Sequence, residues 1–453
     1  MAITPQTLLT SAALVGAYGG LCWTMWRRHR RLHGAKPAAP GQTLLLHASQ
    51  TGLALDLAQQ SAAALQAAGL PVQLLSLGEL SIECLRQARQ ALFLVSTAGE
   101  GAAPDLASAF VRGPMQTQPD LAGLSYGLLA LGDRSYADFC AFGRRLDGWL
   151  QGCGANALFE RIEMDRGAPA ALAAWRERLG DLGADAAPAF EQPLWQDWVL
   201  QERELLNPGS LGAPLYRLRF VPPQGRALPD WQAGDLVQVQ APGEPSALRD
   251  YSIASLPSCG GLELLVRRQL RADGSPGLCS GWLCERLRPG EGLRMRCREH
   301  PSFRLSEEDA ERPLILIGSG SGLAGLRAHL RSRDRQGACA GRKAWLIYGE
   351  RQSEVDRPCF DELAAWQDSG LLHHLDLVYS RDPVAEQVPR YVQQQLLAQG
   401  QRLRDWVAGG AAVLICGSLQ GMAEGVDRAL RELLGDEGVE QLLGSGRLRR
   451  DVY

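Results

Sequence analysis

The sequence predicts an α/β multidomain chain in which two doubly wound parallel domains flank an antiparallel β-barrel. Three observations predict it. Apolar strand-like runs alternate with helical patterns over residues 42–185, short alternating runs broken by Pro and Gly fill 195–310, and βα alternation returns over 311–453. The 453-residue length agrees with about three domains.

Residues 1–7 form an N-terminal tail, and Leu8 to Trp26 run without a charge. At 1.5 Å per residue that run spans about 28 Å, close to a bilayer's hydrocarbon core. Trp23 and Trp26 stand where an aromatic belt would, and Arg27 to Arg31 carry a cluster of positive charge. The expectation is one transmembrane helix over 8–26, with the Arg cluster and everything after it in the cytoplasm. A cleaved signal peptide is the competing reading, but no Lys or Arg precedes the apolar run. Residues 27–41 read as a linker.

The composition is 45% hydrophobic and 21% charged, with a formal net charge of -3, so there is no nucleic-acid footprint. Eleven Cys occur without zinc-ligand spacing, which argues for free thiols in a reducing compartment and for no metal site.

Within 42–185 the runs TLLLHAS, VQLLSL, ALFLVST, YGLLALG and ALFERIEMD read as five strands of a flavodoxin-like doubly wound sheet. Three strand ends carry unusual loops: Ser49 to Ala54, Ser96 to Asp105 and Leu131 to Cys140. Ligands of open α/β sheets sit at such ends. Ser, Gln, Thr and Gly before a helix suit a phosphate or simply a helix cap. Residues 186–194 read as a second linker. In the barrel, LYRLRFV, DLVQVQA, YSIAS and LELLVRRQL read as strands, and in the last domain PLILIGSGSG, AWLIYGE, HLDLVYS and AAVLICGS do.

The motifs SQTG, STAGEG and LGDRSYADFC resemble the FMN loops of the diflavin reductase family, which includes the bacterial sulfite reductase flavoprotein and cytochrome P450 reductase. The resemblance implies that Ser49, Gln50, Thr51, Gly52, Leu53 and Ala54 hold the FMN phosphate. It places Ser96, Thr97, Ala98 and Gly99 on one side of the ring. Leu131, Gly132, Asp133, Tyr136, Phe139 and Cys140 lie on the other, with Tyr136 stacked on it. Ala98 stands where P450 reductases carry Tyr, and Leu53 brings no hydroxyl.

RDYSIAS resembles the family's FAD signature, and GLCSGWL its second FAD loop. By resemblance Arg249 pairs with an FAD phosphate, Tyr251 packs on the isoalloxazine and Ser252 lies near N5. Gly277, Leu278, Cys279 and Ser280 meet the pyrophosphate. LILIGSGSGLAGLR resembles the family's NADP loop, with Gly318, Gly320, Ser321 and Gly322, in a ferredoxin-NADP reductase-like nucleotide domain. Ser380, Arg381 and Tyr391 match its 2′-phosphate site. The family's Lys is absent, and its place falls on Pro389. LICGSLQGMAEGV places Cys416 beside the nicotinamide. The closing RRDVY adds Asp451 to the hydride path and Tyr453 to the outer face of FAD.

The barrel has no room for the connecting domain that relatives insert. The expected function is an NADPH-dependent diflavin reductase, akin to NADPH-hemoprotein reductase. Electrons would pass from NADPH to FAD to FMN, then to a haem-containing, membrane-associated acceptor. The expected setting is single-pass in the inner membrane, with cytoplasmic flavin domains. The alternatives are supply of a ferric-siderophore or sulfite reductase, and a non-catalytic flavodoxin-like assembly subunit.

Overall fold

The computed structural model describes residues 42–49, 52–98, 101–134, 138–184, 195–242, 248–271, 273–337, 342–383 and 388–453. The apolar run Leu8 to Trp26 lies outside them.

The first sheet holds β1 (Thr43–Ala48), β2 (Val72–Ser76), β3 (Gln90–Ser96), β4 (Ser125–Gly132), β5 (Asn156–Ala157) and β6 (Ile162–Asp165). Its order is β2-β1-β3-β4-β5, all parallel, with β6 also on β4. All six residues of β1 are buried because helices cover both faces, hence its unbroken apolar run. The single run expected over ALFERIEMD is two strands. Phe159 leaves the strand line to meet the edge of Trp175, and a Cβ on Gly127 would collide with its ring.

The second sheet is antiparallel. It contains β7 (Gln196–Leu205), β8 (Leu215–Val221), β9 (Leu236–Gln240), β10 (Leu248–Ser252), β11 (Leu262–Arg267) and β12 (Gly292–Arg298), in the order β10-β9-β12-β7-β8-β11. Its two edges meet where Ile253 bridges Leu264, which closes the barrel around Trp198, Phe220 and Trp231. Neither β7 nor β12 stands out in sequence, since both carry charged outward residues among few apolar ones.

The third sheet is parallel: β13 (Leu314–Ser319), β14 (Ala344–Glu350), β15 (Leu372–Tyr379), β16 (Ala412–Gly417) and β17 (Leu448–Val452), ordered β15-β14-β13-β16-β17. Strand order reverses between β13 and β16, which opens a crevice at their carboxyl ends. The chain's last residues are therefore a strand. They place Asp451 in register with Cys416.

Candidate functional site

A cavity of about 380 Å³ opens between the barrel and the third sheet. Arg249, Tyr251, Ser252, Gly277, Leu278, Cys279, Ser280, Ser321 and Tyr453 line it. All but the last two come from the two barrel motifs, and the nucleotide loop and the C-terminus close the far side. Burial pushes the Tyr251 phenol well up, so it enters the cavity neutral. Ser280 accepts a hydrogen bond from Gln269 N at 3.1 Å, and a Cβ on Gly277 would lie 2.8 Å from its hydroxyl. That loop leaves room for backbone to approach a ligand but none for a side chain.

Three residues far apart in sequence meet at the cavity's inner end. Ser252 Oγ donates to Asp451 Oδ2 at 2.6 Å, and Cys416 Sγ lies 3.6 Å from the same oxygen. All three are buried. Burial first, and the Asp451 charge second, push the Cys416 thiol far up, so it is no thiolate nucleophile. Gly325 lets this cluster pack: a Cβ there would lie 3.0 Å from the Phe303 ring and 3.2 Å from Cys416 Sγ. Tyr453 is half exposed at the rim. It is held by its N–H on Gly417 O at 3.1 Å and its hydroxyl against Ser321 Oγ at 3.0 Å.

The nucleotide loop follows β13. Gly320 has φ 57, in the left-handed region that favours glycine. Gly322 is forced by contact instead, because a Cβ there would collide with Cys416 O. Gly318 is similarly crowded, 2.8 Å from the same carbonyl. Beneath the loop lies a charged pair absent from the sequence reading. Arg267 Nη2 donates to Glu350 at 2.8 and 3.0 Å, and Tyr348 OH lies 2.9 Å from Glu350 Oε1 and 2.8 Å from Gly320 O. The available signal was a charge ending each of two buried apolar runs, LELLVRRQL and AWLIYGE.

Ser380 and Arg381 stand at the carboxyl end of β15. Ser380 N donates to Glu350 O at 3.0 Å and Arg381 N to Arg351 O at 2.8 Å. Tyr391 is exposed and precedes the helix Val392–Ala398, whose Val392 packs near Gly349 of β14. Arg249 is exposed and donates to Leu248 O at 2.8 Å.

In the first sheet Gln50, Thr51, Gly99 and Tyr136 lie outside the described residues. Ser49 is 2% exposed, and its hydroxyl has no partner among the described residues. An orphaned hydroxyl before a helix fits an absent phosphate. Gly52 takes φ 79 at the start of the helix Leu53–Ala67, of which Ala54 is buried. Ser96 Oγ donates to Ala48 O at 3.3 Å, and Thr97 Oγ1 accepts from Phe142 N at 3.2 Å. Both hydroxyls thus hold the loop itself. Ala98 bridges Ala102. Leu131 is buried, and a Cβ on Gly132 would meet Cys140 Sγ at 2.8 Å. Cys140 has φ 55 and opens the helix Ala141–Gly152, with its thiol pushed up to about 12 by burial. Phe139 lies under the Arg134 guanidinium at 4.8 Å, and Asp133 pairs with Arg166 at 3.3 Å.

A Flavodoxin family model matches residues 45–179. The sulfite reductase [NADPH] flavoprotein alpha-component of Vibrio cholerae is 26% identical, over 92% of this chain and 88% of its own. That of Serratia proteamaculans is 26% identical over 100% and 98%, and that of Bacillus subtilis 25% over 92% and 90%. The chain is thus similar to diflavin reductases over most of its length. FMN, FAD and NADPH are accordingly its cofactors, and it is an NADPH-dependent flavin oxidoreductase. The chain is short beside that relative: the Vibrio alignment runs over 553 positions against 453 residues, leaving at least 100 positions without a counterpart.

The comparisons overturn the single-pass inner-membrane placement. The Serratia relative, a sulfite reductase flavoprotein component, aligns with the whole of this chain, apolar N-terminus included. Among the described residues no helix is long and apolar enough to cross a membrane. The membrane-associated acceptor falls with that placement.

Proposed function

We propose that this diflavin reductase supplies electrons from NADPH to a haemoprotein component of the sulfite reductase type. The observation that carries the reading is the meeting of Ser252, Cys416 and Asp451 at the inner end of a cavity walled by both barrel motifs and the nucleotide loop. The names of the matched relatives favour a sulfite reductase partner over the membrane-associated haem acceptor that the sequence first suggested.

Bound FAD and FMN would supply hydride acceptance and single-electron release. The chain's own residues do the rest. Tyr251 and the Gly277–Ser280 loop would hold FAD, with Arg249 donating to a phosphate. At the inner end the Asp451 carboxylate holds the Ser252 hydroxyl in one orientation. That carboxylate would favour the positive charge that a bound nicotinamide gains. Cys416 shapes the pocket. Tyr453 would cover the outer flavin face and must move aside for the nicotinamide. The expected domains are those read from sequence: 42–185 for FMN, 195–310 for FAD and 311–453 for NADP.

The test is reconstitution. Holoprotein, NADPH and a bacterial sulfite reductase haemoprotein should together form sulfide from sulfite. Reduction of cytochrome c without sulfide formation would favour the general haemoprotein reductase. A colourless protein that does not bleach with NADPH would leave the assembly-subunit reading.

A further inference from the structure

Loop 206–214, which joins β7 to β8, reaches from the barrel to the nucleotide sheet. Its anchor is Asp356, which is 1% exposed. The Asp356 carboxylate accepts from Asn207 Nδ2 at 3.0 Å, Ser210 Oγ at 2.9 Å and Gln352 N at 3.0 Å. Asn207 is buried too, and its Oδ1 accepts from Leu215 N at 2.7 Å. Gln352 Oε1 accepts from Leu211 N at 2.8 Å, and Arg351 Nη1 donates to Leu211 O at 3.1 Å. Segment 350–356 is thus fastened to the barrel at several points.

The opposite side of that segment carries Ser380 to Asp382. Two backbone bonds, from Ser380 N to Glu350 O and from Arg381 N to Arg351 O, hold their main chain. A third bond runs from Ser353 N to Asp382 Oδ1 at 3.1 Å. The Arg381 side chain is exposed, so its reach depends on where this backbone is held. A cation on a fixed backbone binds a phosphate better than one on a mobile loop, because less ordering remains for the ligand to impose.

We propose that Asp356, through loop 206–214, is the positioning residue of the Ser380–Arg381 site, so that the barrel helps set discrimination for a 2′-phosphate. The proposal rests on reading Ser380 and Arg381 as the 2′-phosphate ligands. Asp356 touches no nucleotide itself. It acts through segment 350–356.

The test is calorimetric titration of holoprotein with 2′,5′-ADP and with 5′-AMP, which lacks the 2′-phosphate. Asp356→Asn keeps the shape but sets an amide against one of three donors. It should weaken 2′,5′-ADP about 5-fold, the worth of roughly one hydrogen bond, and leave 5′-AMP within about 2-fold. Ser210→Ala should move the ratio the same way, and Ser210→Thr, which keeps the hydroxyl, should restore it. Equal weakening of both ligands, or an unchanged ratio, overturns the proposal. Arg381→Ala separates the two ideas. If that variant leaves the ratio unchanged, the 2′-phosphate reading itself fails. If it collapses the ratio while the Asp356 and Ser210 variants do not, only the positioning role fails. Should Asp356→Asn not fold, the Ser210 pair decides.

Discussion

At the scale of single residues, Asp451 concentrates the consequences. It receives the Ser252 hydroxyl and faces the Cys416 thiol inside a buried pocket. Removing the carboxylate loses a hydrogen bond to a charged group, worth about 1.5–3 kcal/mol, or roughly 10- to 150-fold in rate. Asp451→Ala should slow flavin bleaching by NADPH in stopped flow by that factor, with flavin content unchanged. A normal bleaching rate would take Asp451 out of the hydride path. His47 makes a different prediction. It is 9% exposed, and burial lowers its pKa from 6.5 to about 4. Below pH 6.5 the unfolded chain takes up a proton that the folded chain refuses, so stability falls with pH and stops falling near pH 4. At pH 5 the loss from this group is about 2 kcal/mol, at 1.36 kcal/mol per pH unit. His47→Gln should therefore narrow the gap in melting temperature between pH 7 and pH 5. An equal gap in both proteins would mean that His47 is solvated in the fold.

At the scale of elements, the β13–β16 crossing is the tightest joint in the nucleotide sheet. A methyl on Gly322 would collide with Cys416 O, a contact that backbone must move to relieve. Overpacking of this kind costs about 1–3 kcal/mol. Gly322→Ala should lower the melting temperature and weaken 5′-AMP binding together. A stable variant with normal binding would place the loop elsewhere. Most strands here were legible because buried parallel strands are uninterrupted apolar runs: β1, β3, β13 and β16 match the sequence reading closely. β7 and β12 were not, since a barrel strand with a wet face carries charges such as Arg203 and Arg294 that blur the pattern. β17 was hidden for another reason. LRRDV has little apolar content, and its place at the sheet edge comes from pairing with β16. The residues that converge on Asp451 were legible only as motif fragments. Arg267 and Glu350 were invisible as a pair, because 83 positions separate them and only the fold brings them together.

At the scale of the whole molecule, ion pairs tie the flavodoxin-like unit to the rest. Arg298, with a side chain 4% exposed, pairs with Asp250 at 2.7 Å and with Asp56 at 3.5 Å. Asp250 lies in β10 of the barrel and Asp56 in the first turn of the helix Leu53–Ala67, so one guanidinium links the barrel to the first sheet's helix. Arg450 bridges Asp105 and Asp427 at 2.6 and 2.5 Å, and Arg112 pairs with Glu440. Among the described residues, these ion pairs join the units. Arg298→Ala leaves two partly exposed carboxylates without their cation, which costs about 1–3 kcal/mol. Small-angle scattering should then report a larger radius of gyration, and hydrogen exchange should quicken in the first turn of Leu53–Ala67. Unchanged scattering would mean that apolar contacts suffice. Electron transfer through this chain depends first on its cofactor set. Anaerobic titration of purified holoprotein with NADPH, followed by acid extraction and separation of the flavins, measures it. Full bleaching, with one FMN and one FAD per chain, is the expected result. FAD alone, or flavin that NADPH does not bleach, would contradict it.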